Sequence, residues 1–153
     1  MQTSTLKKSS TPVPGSLYRQ LAGTYVLQLK TQNYHWNVRG PLFVQLHGLF
    51  EEQYQELASA SDVLAERIRA LGHSVQATFT DFLAESPVHE AKGNESAEAM
   101  IQELASAHRR LSETAKAGVD AAEEAGDPAS ADLFTVRITA HEKAAWMLES
   151  LLA

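Results

Sequence analysis

The sequence predicts an all-α protein: a four-helix bundle with a short extra helix in the crossover between the second and third long helices. Two observations support this prediction. Alanine, leucine and glutamate are abundant, and this composition favours helices over strands. Apolar residues also recur every three to four positions along four long segments, while glycine and proline stand at the segment edges. This is the pattern of amphipathic helices packed as a bundle.

The N-terminal part of the chain predicts a tail followed by the first helix. Residues 1–15 are polar and rich in proline, serine and threonine, which indicates a flexible tail, and residues 16–153 are expected to form the bundle domain. The first helix should span about 16–38, with Ser16 as its N-cap. It should end at Arg39-Gly40-Pro41, because glycine suits a helix stop and proline cannot continue a helix.

The remaining helices follow from the same signals. Their predicted spans are 43–71 for the second helix, 80–85 for the short helix, 96–124 for the third long helix and 129–152 for the fourth. Thr80 is expected to cap the short helix and Gly72 to end the second. The turn Gly126-Asp127-Pro128 should separate the last two helices, since glycine ends one helix and proline suits the start of the next.

Charge and cysteine content exclude several function classes. The net charge of −6 argues against a dedicated nucleic-acid binder. The first fifty residues nevertheless carry +5, and the rest, with 8 basic and 19 acidic residues, carries −11. The absence of cysteine excludes disulfides, thiolate metal sites and cysteine nucleophiles. Neither a secretory h-region nor an apolar run of about 18 residues occurs, so a cytoplasmic protein is expected.

A sparse set of metal-type side chains stands out on the first two predicted helices. Its members are His35, His47, Glu51, Asp62 and Glu66. Four of them form two pairs at i, i+4 spacing, which places each pair on one helix face. Two imidazoles and three carboxylates suit a divalent cation such as iron. The turn after the first helix should also bring His35 towards His47.

The two pairs on the second helix cannot hold one ion within a single chain. His47 and Asp62 are 15 positions apart, which is roughly 22 Å along a helix although both point within roughly 60° of one direction. Either two unrelated half-sites exist, or an antiparallel second copy lies alongside. In the second case a two-fold axis would bring His47 of one subunit to Glu66 of the other, giving two equivalent sites per dimer.

Each candidate ligand taken singly also has an ordinary structural interpretation. A lone histidine on an amphipathic helix is more often a hydrogen-bonded, partly buried residue than a ligand, and Glu66 could pair with Arg67 or Arg69. Trp36 is more often a core or interface residue than a redox group. His73 follows Gly72 in a predicted loop, and three further histidines lack a convincing partner at ligand spacing: His89, His108 and His141. No Glu-x-x-His motif occurs, so the usual intrachain di-iron site of such bundles is absent.

Three stretches resemble the Dps family, the miniferritins. They are Tyr34-His35-Trp36-Asn37-Val38-Arg39-Gly40 with Phe43-x-x-Leu46-His47, then Asp62-x-x-Ala65-Glu66-Arg67-Ile68, and last Asp132-Leu133-Phe134-Thr135 through His141-Glu142-Lys143 to Trp146-Met147-Leu148. The resemblance covers about residues 16–152. It implies a ferritin-like four-helix bundle that assembles from two-fold dimers into a hollow dodecamer.

The resemblance also implies an activity, a ferroxidase that protects DNA from oxidative damage. Such proteins oxidise Fe(II) with hydrogen peroxide, or with O2, at sites shared between two subunits, and they store the ferric product in the cavity. The family's histidines match His35 and His47, and its distal carboxylates match Asp62 and Glu66. Glu51 stands where the family usually has aspartate, one methylene shorter. Trp36 is implied as an electron donor to the oxidant.

Two further properties are implied by the resemblance. The family's threefold pores use aspartates near the start of the last helix, where Asp127 and Asp132 stand, while Val136 occupies a further acidic position. Some members bind DNA through lysine-rich tails, and this tail has only Lys7 and Lys8. Two alternatives remain open: a DNA-compacting nucleoid protein with weak ferroxidase activity, or a cage that prefers zinc or manganese, since zinc binds more tightly than Fe(II) in the usual affinity order.

Overall fold

The computed structural model describes residues 4–5 and 12–153, and it confirms the predicted all-α bundle with a short extra helix in the crossover. The helices are α1 (Pro12–Asn37), α2 (Phe43–Ala70), α3 (Phe79–Glu85), α4 (Ala97–Glu124) and α5 (Pro128–Ser150), and two-residue strands β1 (Ser4–Thr5) and β2 (His73–Ser74) pair in parallel. Helix α1 packs on α2, α3 and α4, and α4 packs on α5. Among the described helices, none combines the length and apolar character that crossing a membrane requires.

Helix α1 begins earlier than the sequence predicted. It starts at Pro12, so Ser16 lies inside the helix and does not cap it. The first N–H groups of a helix have no intrahelical partner, so Pro12 and Pro14 cost no hydrogen bond there. Val13 is buried, which gives this first turn a packing contact. Apart from β1, the predicted tail before Pro12 lies outside the described residues.

The N-caps of α3 and α4 are hydroxyl side chains, and the cap predicted for α3 was assigned to the wrong residue. Thr78, not Thr80, caps α3: its Oγ1 accepts a hydrogen bond from the Asp81 backbone N–H at 3.1 Å. Ser96 caps α4, where its Oγ accepts from the Ala99 N–H at 3.1 Å. Two threonines flank Phe79, and only the tertiary path of the loop decides which of them satisfies the free N–H group.

Asp127 caps α5 and ties it to α2. Its Oδ1 accepts from the Ser130 backbone N–H at 3.0 Å and from the Arg67 guanidinium at 2.8 Å, and its Oδ2 accepts from the Ser130 hydroxyl at 2.6 Å. Burial alone would raise the pKa of Asp127, but the hydrogen bonds from Ser130 and the charge of Arg67 lower it below its usual value. Asp127 is therefore an ionised cap.

The core consists of two apolar clusters with a polar layer between them. One cluster contains Tyr34, Phe50, Leu104 and Leu148, and the other contains Leu17, Leu64, Ile68 and Phe134. Along α5, His141 lies between Phe134 and Leu148, and its Nδ1 is 2.9 Å from Nδ1 of His108 on α4. Neither histidine has a partner at ligand spacing in the sequence, and the structure shows that they contact each other across two helices. Their contact depends on how α4 packs against α5, which spacing within one helix does not reveal.

Polar contacts hold α1 against the start of α4. The Lys30 ammonium donates to the Glu103 carboxylate at 2.9 Å, and this hydrogen bond lowers the pKa of Glu103. One turn further along α1, the buried Tyr34 hydroxyl donates to the Glu95 carboxylate at 3.0 Å. These bonds position the C-terminal end of α1, where His35 is located.

Replacing Gly118 with alanine tests the packing of α4 on α5. A Cβ at Gly118 would lie 2.5 Å from the ring of Phe134, so this buried ring would have to shift. We expect Gly118→Ala to lower the free energy of unfolding by about 1–3 kcal/mol, measured by urea denaturation. Gly15→Ala is the matched control, because nothing lies within 4 Å of a Cβ there. Equal stability of both variants would contradict the described packing.

Removing the Asp127 side chain tests the α5 cap. Asp127→Ala leaves a free N–H group and an unpaired Arg67, and we expect it to lower the free energy of unfolding by about 1–2 kcal/mol in the same urea assay. Asp132→Ala serves as control, since Asp132 is exposed and its loss should change stability by less than about 0.5 kcal/mol. An Asp127→Ala variant as stable as the wild type would show that the cap contributes nothing to stability.

Candidate metal centre

The α1–α2 hairpin brings His35 and His47 together. Gly40 has a φ of +115°, a left-handed conformation that glycine adopts without strain, and the turn folds α2 back along α1. The two imidazole rings stack with their centroids 3.7 Å apart and their planes inclined by 15°. The expected approach of His35 to His47 across the turn is therefore confirmed.

Each of the two imidazoles is held by the backbone of the other histidine. Nδ1 of His35 lies 2.7 Å from the His47 carbonyl oxygen, and Nδ1 of His47 lies 2.7 Å from the His35 carbonyl oxygen. A carbonyl can only accept, so both Nδ1 atoms carry the proton and donate. In the neutral form of each ring, Nε2 is therefore unprotonated and is the atom that can bind a metal ion.

Two aromatic side chains that sequence reasoning did not single out complete the surroundings of the rings. The Phe43 ring stacks on His47 with centroids 5.1 Å apart, and the Tyr54 ring meets His35 edge-on at 5.2 Å. Phe43 precedes His47 by one helical turn, a spacing that could have indicated the contact. Trp36, in contrast, is 61 % exposed and is not a core residue.

The three carboxylates of the candidate set lie at the surface of α2 or close to it. Glu51 is half-buried one turn after His47, and Asp62 and Glu66 are exposed. Within the described part of the chain, neither Asp62 nor Glu66 has a hydrogen bond or ion pair. The alternative pairing of Glu66 is wrong, because Arg67 binds Asp127 and Arg69 donates to the His73 carbonyl oxygen.

A single chain does not assemble these residues into one site. Among residues 4–5 and 12–153, no three histidine, aspartate or glutamate side chains lie close enough together to hold a metal ion. Helix α2 is continuous from Phe43 to Ala70, so its histidine end and its distal carboxylates remain roughly 22 Å apart. Each end of α2 therefore carries an incomplete half of the candidate site, and His35 of α1 belongs to the half that contains His47.

A groove beside Asp62 presents groups without partners. It has a volume of about 530 Å³ and lies between α1, α2 and α3, with Asp62, Ser61, Gln28 and Phe79 in its lining. The Gln28 Oε1 and Ser61 Oγ atoms are buried and make no hydrogen bond within the described residues. Phe79 is 68 % exposed. An exposed apolar group of this size in a groove is typical of a surface that another chain covers.

The two aspartates predicted for a pore have different surroundings. Both oxygens of Asp127 are engaged by Arg67 and Ser130, so its charge is largely compensated within the chain. Asp132 is exposed one turn further on, and Val136 beyond it is also exposed. A pore at this end of α5 stays a prediction, with Asp132 as its better carboxylate.

Comparison with known proteins identifies the family of the chain. The ferritin-like domain family matches residues 15–153. The chain is 42 % identical over 136 residues to the DNA protection during starvation protein of Brevibacillus brevis, covering 89 % of this chain and 91 % of the relative. It is 40 % identical over 134 residues to general stress protein 20U of Bacillus subtilis strain 168, covering 88 % and 92 %.

Solved structures have the same fold. A Dps protein from Bacillus brevis superposes with a TM-score of 0.91 at 40 % identity, covering 96 % of this chain and all of that one. A Dps protein from Vibrio cholerae O1, described as a member of a broad superfamily of ferritin-like diiron-carboxylate proteins, gives 0.89 at 29 % identity, covering 100 % and 99 %. This chain belongs to the Dps family of ferritin-like proteins.

Proposed function

We propose that this chain is a ferroxidase subunit that oxidises Fe(II) with hydrogen peroxide at sites shared between two-fold-related copies. The observation that carries the proposal is the pair His35 and His47, whose reciprocal backbone hydrogen bonds leave two Nε2 atoms ready for a metal ion. The complementary carboxylates, Asp62 and Glu66, are exposed, unpaired within the described residues and too far along α2 to serve the same chain.

The proposed site takes each ligand from a defined place. His35 and His47 bind iron through Nε2, and Glu51 adds a negative charge one turn beyond His47. Glu66 of the partner subunit binds or bridges the ions, and Asp62 of the partner subunit binds directly or through water. Nitrogen and oxygen ligands of this kind suit Fe(II), and the carboxylates favour the higher charge of the Fe(III) product.

The proposed reaction consumes Fe(II) and hydrogen peroxide, which together can release hydroxyl radicals. Two Fe(II) ions give one electron each to hydrogen peroxide, and two protons convert its oxygens to water, so that two Fe(III) ions and two water molecules result. Pairwise transfer avoids the single-electron step that releases a hydroxyl radical. We propose Trp36 as an electron donor when only one Fe(II) ion is present.

The groove beside Asp62 supports the proposed dimer. A partner that covered it would bury the exposed ring of Phe79. A two-fold contact is self-complementary, so it would complete two sites at once. We propose that such dimers build a cytoplasmic dodecameric cage that stores the ferric product and so protects DNA from oxidative damage.

Loading the assembled protein with Fe(II) without oxygen and then adding one peroxide per two ions tests the function. We expect rapid growth of ferric absorbance, with soluble iron retained in a particle of roughly twelve subunits by mass. Because Zn2+ uses the same nitrogen and oxygen ligands and is not oxidised, prior Zn2+ loading should slow oxidation. An intact cage without oxidation would contradict the ferroxidase and favour a cage for another metal.

Mixing two inactive variants tests whether the site is shared. His47→Ala removes a ligand from one half and Glu66→Ala from the other half. After subunit exchange, we expect the mixture to regain oxidation rate, because a pairing of the two variants contains one intact site in two. Glu52→Ala, which changes an exposed carboxylate on the same helix, is the matched control and should stay active. A mixture as inactive as both parents would contradict the shared site.

Binding of DNA is a second candidate, favoured by relatives named for DNA protection during starvation. Lys7 and Lys8 lie in the part of the chain outside the described residues, and repetition in a cage would multiply their weak contacts. Deleting residues 1–11 should abolish DNA retention at low salt, measured by gel shift, and leave iron oxidation unchanged. Retention that survives the deletion, or that is absent from the full chain, would exclude the tail as the DNA-binding element.

A further inference from the structure

A chain of buried polar groups crosses the bundle between its two apolar clusters. His108 on α4 and His141 on α5 are fully enclosed, at 1 % and 0 % exposure. The Gln20 amide nitrogen from α1 and the Arg137 guanidinium from α5 lie 3.3 Å and 3.4 Å from Nε2 of His141. None of these groups takes part in the candidate metal centre.

The neighbours determine the tautomer of each ring. Amide and guanidinium nitrogens only donate, so Nε2 of His141 is an acceptor and Nδ1 of that ring carries the proton. His141 Nδ1 therefore donates to His108 Nδ1 at 2.9 Å. The proton of His108 consequently stands on its Nε2, which is buried without a hydrogen-bond partner in the described residues.

This arrangement has no place for a further proton. A proton on His141 Nε2 would face the N–H groups of Gln20 and Arg137. A proton on His108 Nδ1 would face the Nδ1–H of His141. In either position two N–H donors would face each other in a buried site. An unsatisfied polar group that is also repelled lowers the stability of the fold there.

Arg137 connects the histidine pair to α2. Its guanidinium forms an ion pair with the Glu56 carboxylate and, through the same terminal nitrogen, contacts His141. The Gln20 amide from α1 also faces the pair, and the Ser112 hydroxyl, one turn after His108 on α4, donates to Glu142. Glu142 also pairs with Lys116 at the surface. Arg137 is therefore the cation nearest the pair.

We propose that His108 and His141 form an acid-sensitive latch: uptake of one proton by the pair displaces Arg137 from Glu56 and releases α5 from α2. Burial, followed by the charge of Arg137, lowers the pKa of His108 to about 3 and that of His141 well below 6.5. A depressed pKa of a base stabilises the fold above the unfolded value of about 6.5, and this stability is lost as the pH falls below it. The latch does not depend on iron oxidation.

Hydrogen exchange of the full-length protein tests the latch. Protection factors of α2 peptides that contain Glu56, corrected for intrinsic exchange, are compared at pH 7.5 and 5.5. We expect a loss of about tenfold or more in the wild-type chain, because each histidine contributes up to about tenfold per pH unit below 6.5. In His141→Gln the amide can accept from Arg137 but takes up no proton, so only His108 remains to titrate and the loss should be up to about tenfold smaller than in the wild type.

Two further variants and one direct observation make the test decisive. His89→Gln, at an exposed loop histidine, should behave as wild type, and Glu56→Gln should show weak α2 protection already at pH 7.5. Should His141→Gln fail to fold, 15N spectra of histidine-labelled wild type report the tautomers: Nδ1–H for His141 and Nε2–H for His108 at pH 7.5. Unchanged wild-type protection at pH 5.5, an equal loss in His141→Gln, or the opposite tautomers would overturn the proposal.

Discussion

The reciprocal hydrogen bonds between His35 and His47 are the constraint on which the candidate centre depends. Each Nδ1 donates to the other residue's carbonyl oxygen at 2.7 Å, so one contact both joins α1 to α2 and selects the tautomer that presents Nε2. The accepting carbonyl oxygens belong to the same two residues whose side chains must stay in place to bind a metal ion. A mutation that loosens the hairpin would therefore also displace the two Nε2 atoms that are proposed to bind the metal ion.

The apolar and the charged side chains of α2 lie on different faces of the helix. Leu46, Phe50, Leu57 and Leu64 face the core, whereas the carboxylates of Asp62 and Glu66 stay unpaired and exposed within the described residues. A lone subunit gains nothing from such carboxylates, and the exposed Phe79 beside them favours association. In the proposed dimer, a second copy would use both features.

The helices could be predicted from the sequence because their apolar period and their glycine and proline stops are local signals. Local signals failed where tertiary contacts decide: Pro12 rather than Ser16 begins α1, and Thr78 rather than Thr80 caps α3. The two ligand pairs on α2 were visible because i, i+4 spacing is a property of one helix, and His35 was visible because the turn after α1 brings it towards His47. The contact of His108 with His141 was not, although His108 stands between Leu104 and Leu111 on the apolar stripe of α4, because it depends on the packing of α4 against α5.

Anomalous X-ray scattering from crystals of the assembled protein soaked with a divalent metal tests the central claim most directly. The shared-site account predicts a peak at a two-fold interface, about 2 Å from Nε2 of His35 or His47 and beside Glu66 of the partner subunit. A peak enclosed within a single bundle, or one bound through Nδ1 with the backbone hydrogen bonds broken, would contradict it.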